Sequence, residues 1–258
     1  MHCIAVLVLD TPAPGLSNKY GDFGDQGIEM MKESSLADDY QFDKFTTIGD
    51  FQVPSLEDLR AGKYDALYLS GSRCDSFDDS KVWICQLVQY LKQILDLQKE
   101  DKDFQVKLIG VCFGHQIIAR AAGLPVGRNP KGWEVGLTQV MFNDEFHKTI
   151  QTAENHFHVV EMHQDTVLID RQSLLPEQWV IVGSTNKCFC QGLYWSDHVL
   201  TFQGHPEFTT DYSNRLIESR DRDGGLPKEV CQEAMQRNRQ LTNDSLMLSS
   251  IIMRFISN

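Results

Sequence analysis

The sequence predicts an α/β fold: a mostly parallel sheet covered by helices on both faces, with an antiparallel extension at one edge. Three observations lead to it. Short apolar runs such as Ile4–Leu9, Ala66–Leu69 and Val106–Val111 have the make-up of strands buried on both faces. Segments of helical period separate them, the alternation that parallel sheets require. Past residue 130 the helical segments give way to closely spaced strand-like runs with short connections, which points to antiparallel pairing.

In chain order, Ile4–Leu9 is the first buried strand. A loop over 12–23 follows, punctuated by Pro12, Pro14, Gly15 and Gly21. A helix is expected over Asp25–Leu36 and a second strand over Lys44–Ile48. Ser55 precedes acidic residues that suit a helix N-terminus, so residues 54–59 read as a short capped helix. Ala66–Leu69 is the third strand and ends in Ser70-Gly71-Ser72. Between Lys81 and Leu97, Trp83, Leu87, Tyr90, Leu91, Ile94 and Leu97 share one helical face. Val106–Val111 runs straight into a helix that continues through Ala122 and stops at Gly123 and Pro125.

The later strands are Val135–Phe142, Phe157–Glu161, Val180–Gly183, Gly192–Trp195 and Val199–Phe202. Helices are expected over 209–222, 227–239 and 244–256. The last has Leu248, Ile251, Ile252 and Phe255 on one face and Asp244 as its cap, and is expected to pack on the rest of the chain. With no repeat, linker or low-complexity tract, residues 1–258 read as a single domain carrying its C-terminal helices (about 227–256).

The 258 residues are 41% hydrophobic and 23% charged, with a formal net charge of −12. Such an acidic balance, without any Lys/Arg cluster, argues against nucleic acid or an anionic membrane as partner. No apolar run approaches the roughly 20 residues of a membrane span, and Ile4–Leu9 is too short for a signal segment. The seven cysteines contain no C-x-x-C pair and read as reduced thiols of a cytoplasmic protein. Cys188 and Cys190, two apart in an expected strand, read as small buried hydrophobes rather than metal ligands. His156 and His158 share one strand face without the further ligands that zinc needs.

The chemistry concentrates at Gly110-Val111-Cys112-Phe113-Gly114-His115-Gln116, a G-x-C-x-G sequence at a strand-to-helix junction. It is the cysteine counterpart of the nucleophile elbow, in which flanking glycines remove side chains that would collide on the sharp turn. The turn sets the thiol at a helix N-terminus, which favours thiolate, and aims the Phe113 N–H at a developing oxyanion. A cysteine nucleophile needs a base, and the base an orienting group. Gly204-His205-Pro206-Glu207 supplies both: Pro206 excludes helix, and residues two apart in an extended chain project to one side, so Glu207 can hold the His205 ring.

Together these two segments, in this order and about 90 residues apart, resemble the class I (triad) glutamine amidotransferases, over Ile4 to about Phe208. The resemblance implies a flavodoxin-like three-layer sandwich and a catalytic triad of Cys112, His205 and Glu207. It implies an oxyanion hole from Phe113 and the turn holding Gly71 and Ser72, where many members have a Pro-Gly-Gly type turn. It also implies that Gln116 contacts the γ-glutamyl group, and that Met162, His163, Gln164 and Asp165 form the loop receiving the substrate's α-amino and α-carboxylate groups. His163 is expected to shape that loop, and His115 to support the helix. No metal or cofactor is implied. The chain carries no Walker A sequence or synthetase partner, so nitrogen transfer would need an ammonia-accepting enzyme in trans.

Free-standing members resembling this chain include plant γ-glutamyl peptidases and fungal amidotransferase-like proteins; Gly71–Phe77 and Gly132–Gly136 carry the likeness to that GMP-synthase-like subset. The alternatives are a γ-glutamyl peptidase acting on glutathione-like peptides, a DJ-1/PfpI-like protein, or an idle regulatory subunit. His205-Pro206-Glu207 speaks against the last two. Tyr20–Phe23 reads as a surface turn rather than a pocket wall.

Overall fold

The computed structural model describes residues 2–150 and 152–258. In chain order its elements are β1 (His2–Val8), α1 (Ser17–Tyr20), α2 (Phe23–Lys32), β2 (Tyr40–Thr46), α3 (Leu56–Arg60), β3 (Ala66–Leu69), α4 (Val82–Glu100), β4 (Lys107–Val111) and α5 (Phe113–Ala121). The second half contains β5 (Val126–Arg128), β6 (Glu134–Phe142), α6 (Asp144–Ile150), β7 (His156–His163), β8 (Asp165–Val167), β9 (Trp179–Ile181), β10 (Gly183–Ser184), β11 (Leu193–Trp195) and β12 (Val199–Phe202). It closes with α7 (Thr210–Arg222), α8 (Lys228–Gln240) and α9 (Ser245–Ser257).

The main sheet has the order β2-β1-β3-β4-β12-β11-β9. Its first five strands are parallel, and β11 and β9 extend it antiparallel. This is the mostly parallel sheet with an antiparallel edge that the sequence predicts. The period of two in β1 sorts its side chains between two cores. Ala5 and Leu7 face α4 and α5 through Trp83, Ile84, Leu87, Ile94 and Ile117. Ile4 and Val6 face α2 and α9 through Met30, Leu248, Ile251 and Ile252. Lys107 on β4 is buried, and its Nζ donates to the carbonyls of Phe255 (2.9 Å) and Ile256 (3.1 Å). It thereby satisfies acceptors that the end of α9 would leave orphaned.

Two smaller sheets stand beside the main one, the antiparallel β10-β6-β7 and the pair β5-β8. The β5-β8 pair and α6 escape the sequence reading, because three-residue strands and one seven-residue helix leave too short a pattern. The second strand lies at Tyr40–Thr46 rather than 44–48: β2 is a half-exposed edge strand whose Gln41, Asp43 and Lys44 dilute the apolar signal. The first long helix runs over Phe23–Lys32, because Asp22 caps it in a reciprocal box with Asp25. Cys188 and Cys190 lie in the connection between β10 and β11, not in a strand, and both are buried. Among the described residues no helix is long and apolar enough to cross a membrane.

Candidate active site

Parallel sheets expose the loops at their carboxyl ends, and the site forms where β3, β4 and β12 end side by side. Cys112 sits between β4 and α5 with φ 50° and ψ −106°. A non-glycine residue there costs about 1–3 kcal/mol and persists only when its surroundings hold it. Here the Cys112 N–H donates to Phe202 (2.9 Å) on the neighbouring strand, and its carbonyl accepts from Gln116 (3.1 Å). The glycines of the motif are close-approach positions. A Cβ at Gly114 would lie 2.3 Å from the Leu69 carbonyl oxygen, and one at Gly110 would lie 2.6 Å from the Gly114 backbone.

His205 is fixed through its backbone, which bridges to Val160 on β7 with an N–H···O of 2.7 Å. Its Nδ1 meets Glu207 Oε1 at 2.7 Å, and its ring stacks on Phe208 at 3.9 Å with the planes 6° apart. Asn243 ties down the same loop by donating to the carbonyls of Phe208 (2.8 Å) and Pro206 (3.2 Å). Gly71 lies against both side chains of the pair: a Cβ there would stand 2.8 Å from His205 Cε1 and 3.7 Å from Cys112 Cβ. Burial opposes a charge on the imidazole. The adjacent Glu207 carboxylate and Cys112 outweigh that and push its pKa up to about 10. The imidazole therefore carries its proton at neutral pH, with Cys112 alongside.

The N–H groups of Gly71, Ser72 and Phe113 have no backbone or side-chain acceptor among the described residues, leaving them free to bind an anion. The turn bearing the first two is held rigidly. Ser70 Oγ accepts from Leu9 N–H (3.0 Å) and donates to the Gly71 carbonyl (3.0 Å). Buried Asp10 accepts from both the backbone and the guanidinium of Arg73, at 2.6–2.9 Å.

Of the other expected substrate contacts, Gln116, Met162, His163, Gln164 and Asp165 all line the same cleft as Cys112 and His205. The cleft encloses about 800 Å³, open solvent at its mouth included. Gln116 is already engaged: its amide donates to the Asp165 carbonyl (2.9 Å) and Gln203 (3.1 Å) and accepts from Ser76 (3.1 Å). It acts as a brace with one acceptor lone pair to spare. His163 is buried, with Nδ1 on the Asp165 carbonyl (2.9 Å) and Nε2 3.3 Å from Glu134 and 3.2 Å from Glu161. Burial opposes its charge, but the two carboxylates raise its pKa well above the usual imidazole range.

His115 points away from the cleft, its Nδ1 2.8 Å from Thr201 Oγ1, and burial lowers its pKa to about 3. Phe23 lines the cleft, contrary to the surface-turn expectation for Tyr20–Phe23. The capping of α2 by Asp22 turns that ring inward, against Phe208. The sequence reading also missed Asp10, Arg128, Glu134, Glu161 and Arg220. Only the position of Arg73 and Asp10, at the ends of two adjacent strands, offered a signal. Among the described residues no group of three His, Cys, Asp or Glu is arranged to hold a metal ion.

Comparison with known proteins gives one consistent answer. The family model for class-I glutamine amidotransferase matches residues 22–220. A Saccharomyces cerevisiae protein carrying a provisional glutamine amidotransferase name is 33% identical over 92% of this chain and 91% of its own. Gamma-glutamyl peptidase 2 of Arabidopsis thaliana is 30% identical over 84% of this chain and 82% of its own. Among solved structures, a glutamine amidotransferase from Thermotoga maritima shares the fold, with a TM-score of 0.66 at 20% identity over 100% of both chains.

Proposed function

The chain belongs to the class I glutamine amidotransferase family, and on that premise we propose that it hydrolyses the amide bond of a γ-glutamyl compound through a thioester on Cys112. The observation that carries this reading is the convergence at one cleft of three things. These are a cysteine held at φ 50° on an elbow, a histidine oriented by a buried glutamate, and unengaged backbone N–H groups on Phe113, next to the cysteine in the chain, and on the turn of Gly71 and Ser72 beside it.

The Cys112 thiolate attacks the γ-carbonyl carbon, and the oxygen takes up negative charge facing the N–H groups of Phe113 and of Gly71 or Ser72. Losing one such donor typically costs about 3–4 kcal/mol of transition-state stabilisation. The His205 imidazolium gives its proton to the departing nitrogen as the C–N bond breaks, leaving the γ-glutamyl thioester. Neutral His205 then takes a proton from water, the hydroxide adds to the thioester, and expulsion of the thiolate releases glutamate and restores the starting pair. Glu207 holds the ring and its charge throughout. Ammonia as the leaving group makes the protein a glutaminase, feeding an acceptor enzyme in trans where the nitrogen is transferred; an amino acid or peptide makes it a γ-glutamyl peptidase. Both kinds of name occur among its relatives.

The test is incubation of pure protein with glutamine and with γ-glutamyl peptides, with assay of glutamate, ammonia and amine and mass spectrometry of the quenched enzyme. Glutamate release and a γ-glutamyl adduct on Cys112, both absent from Cys112→Ala, are expected. Absence of both from the wild type, with every substrate, would overturn the proposal.

A further inference from the structure

Beyond the triad the cleft lining is of two kinds. Gln116, Gln164 and Asp165 make a polar part; Phe23, Phe208 and Leu216 pack together as an apolar part, and Leu226 adds to the lining from a separate cluster with Trp133 and Met162. Three arginines also line it, and two are committed. Arg73 grips Asp10, and Arg128 is paired with Asp75 (2.8 Å) and Asp165. Arg220 differs: among the described residues it forms no ion pair and its side chain makes no hydrogen bond. Arg237 is likewise half-buried without a carboxylate but is bonded to the Leu137 and Val135 carbonyls; Arg220, in a chain of net charge −12, has neither kind of acceptor among the described residues.

Helix α7 brings it to the cleft. Arg220 follows Leu216 by one turn on α7, so the two share a face. Just after the helix, Gly224 takes φ +67° and Gly225 donates its N–H to the Arg220 carbonyl at 2.8 Å. The arginine side chain passes beside Gly225, its Cδ and Nη1 at ordinary contact distance (3.4 and 3.7 Å) from where a Cβ would be. The next residue but one to Gly224, Leu226, returns to the cleft wall. A cation beside an apolar lining, with no internal counter-ion, is complementary to a ligand carrying an apolar body and a carboxylate. Ammonia would use neither feature.

We propose that Arg220 reads the carboxylate of the leaving group, so that the favoured substrates are γ-glutamyl amides of α-amino acids or short peptides, with Leu216 and Phe23 covering the apolar side chain. This rests on the hydrolytic reading above and narrows it to one class of amine. Arg220 is then a specificity determinant that touches the departing half of the substrate.

The test compares two substrates differing in one group, γ-glutamyl-leucine and γ-glutamyl-isoamylamide, which is the same amine without its carboxylate. A charge-assisted pair of this kind discriminates by about 10- to 100-fold in kcat/KM. The wild type is expected to favour γ-glutamyl-leucine by at least the lower figure. The ratio is expected to fall to within about twofold of unity in Arg220→Ala, and Arg220→Lys to keep part of it. A variant that merely misfolds lowers both rates and leaves the ratio alone; that result, or a wild type that does not discriminate, overturns the assignment. A wild type inert toward both substrates and toward glutamine overturns the hydrolytic reading itself, and this inference with it.

Discussion

Replacing His163 by leucine should destabilise the protein severely, and in a way that acid partly repairs. The β6–β7 register places Glu134 directly opposite His163, and Glu161 is two residues away on the same face, so the pairing forces three ionisable groups together. Glu161 is fully buried and neither of its oxygens has an aligned hydrogen-bond donor; burial raises its pKa even with the imidazole beside it. Glu134 accepts from Thr185 (2.6 Å) and Gln191 (3.0 Å); burial raises its pKa, but the His163 imidazole, with a smaller contribution from Thr185, holds it below the usual range. Removing the one cation leaves two buried carboxylates facing each other. Breaking a buried pair in this way costs about 3–5 kcal/mol, which in a chain of this size lowers Tm by about 10 °C.

The pH dependence separates this cause from simple loss of packing. In the wild type the raised pKa of His163 gives stability that is fully present below about pH 6.5 and is lost as pH rises through the folded value. In the variant a carboxyl must instead take up a proton on folding, so stability keeps rising as pH falls below that point. One extra bound proton is worth about 1.4 kcal/mol per pH unit. The deficit relative to wild type should therefore shrink by about 1–2 kcal/mol between pH 6.5 and pH 5. Urea denaturation of both proteins at the two pH values measures it, and the double variant with Glu161→Gln should recover part of the loss at pH 7. A deficit below about 1 kcal/mol, or one that does not change with pH, would refute the buried-ion account.

Gly114→Ala drives a Cβ to within 2.3 Å of a backbone oxygen that cannot move independently of β3. It should cost about 1–3 kcal/mol in stability and, by shifting the elbow, about 100-fold in kcat; normal turnover would show that the glycine is dispensable. Glu207→Gln removes the carboxylate that orients and charges His205, and a loss of about 10²–10⁴ in kcat is expected. Because Glu207 and Cys112 are what raise the imidazole pKa against burial, the alkaline limb of kcat/KM should also move to lower pH. A pH–rate profile with its alkaline limb unmoved would count against the assigned role. Asp10→Asn loosens Arg73 and the turn bearing Gly71 and Ser72, and should lower kcat more than it raises KM, as steady-state kinetics can check.

Much of the fold was legible because buried strands and amphipathic helices write their period into the chain. β1, β3, β4 and β12 were readable from apolar runs, and α4 and α9 from their faces. The edge strand β2 and the β5-β8 pair were not, since half-exposed or three-residue strands carry little pattern.

The same division holds for the site. Local sterics need only neighbouring residues, so G-x-C-x-G pointed to an elbow, and His205-Pro206-Glu207, taken together with that elbow, to a ring with a carboxylate at its side. That Gly71 lies against both Cys112 and His205 depends on β3, β4 and β12 being adjacent in one sheet. The Glu134–Glu161–His163 cluster exists only because of a strand register, and the uncommitted Arg220 lines the cleft only because α7 packs beside it. Contacts between residues a hundred positions apart leave no local period. Tertiary pairing alone decided which charges are neutralised from within and which is left for a ligand.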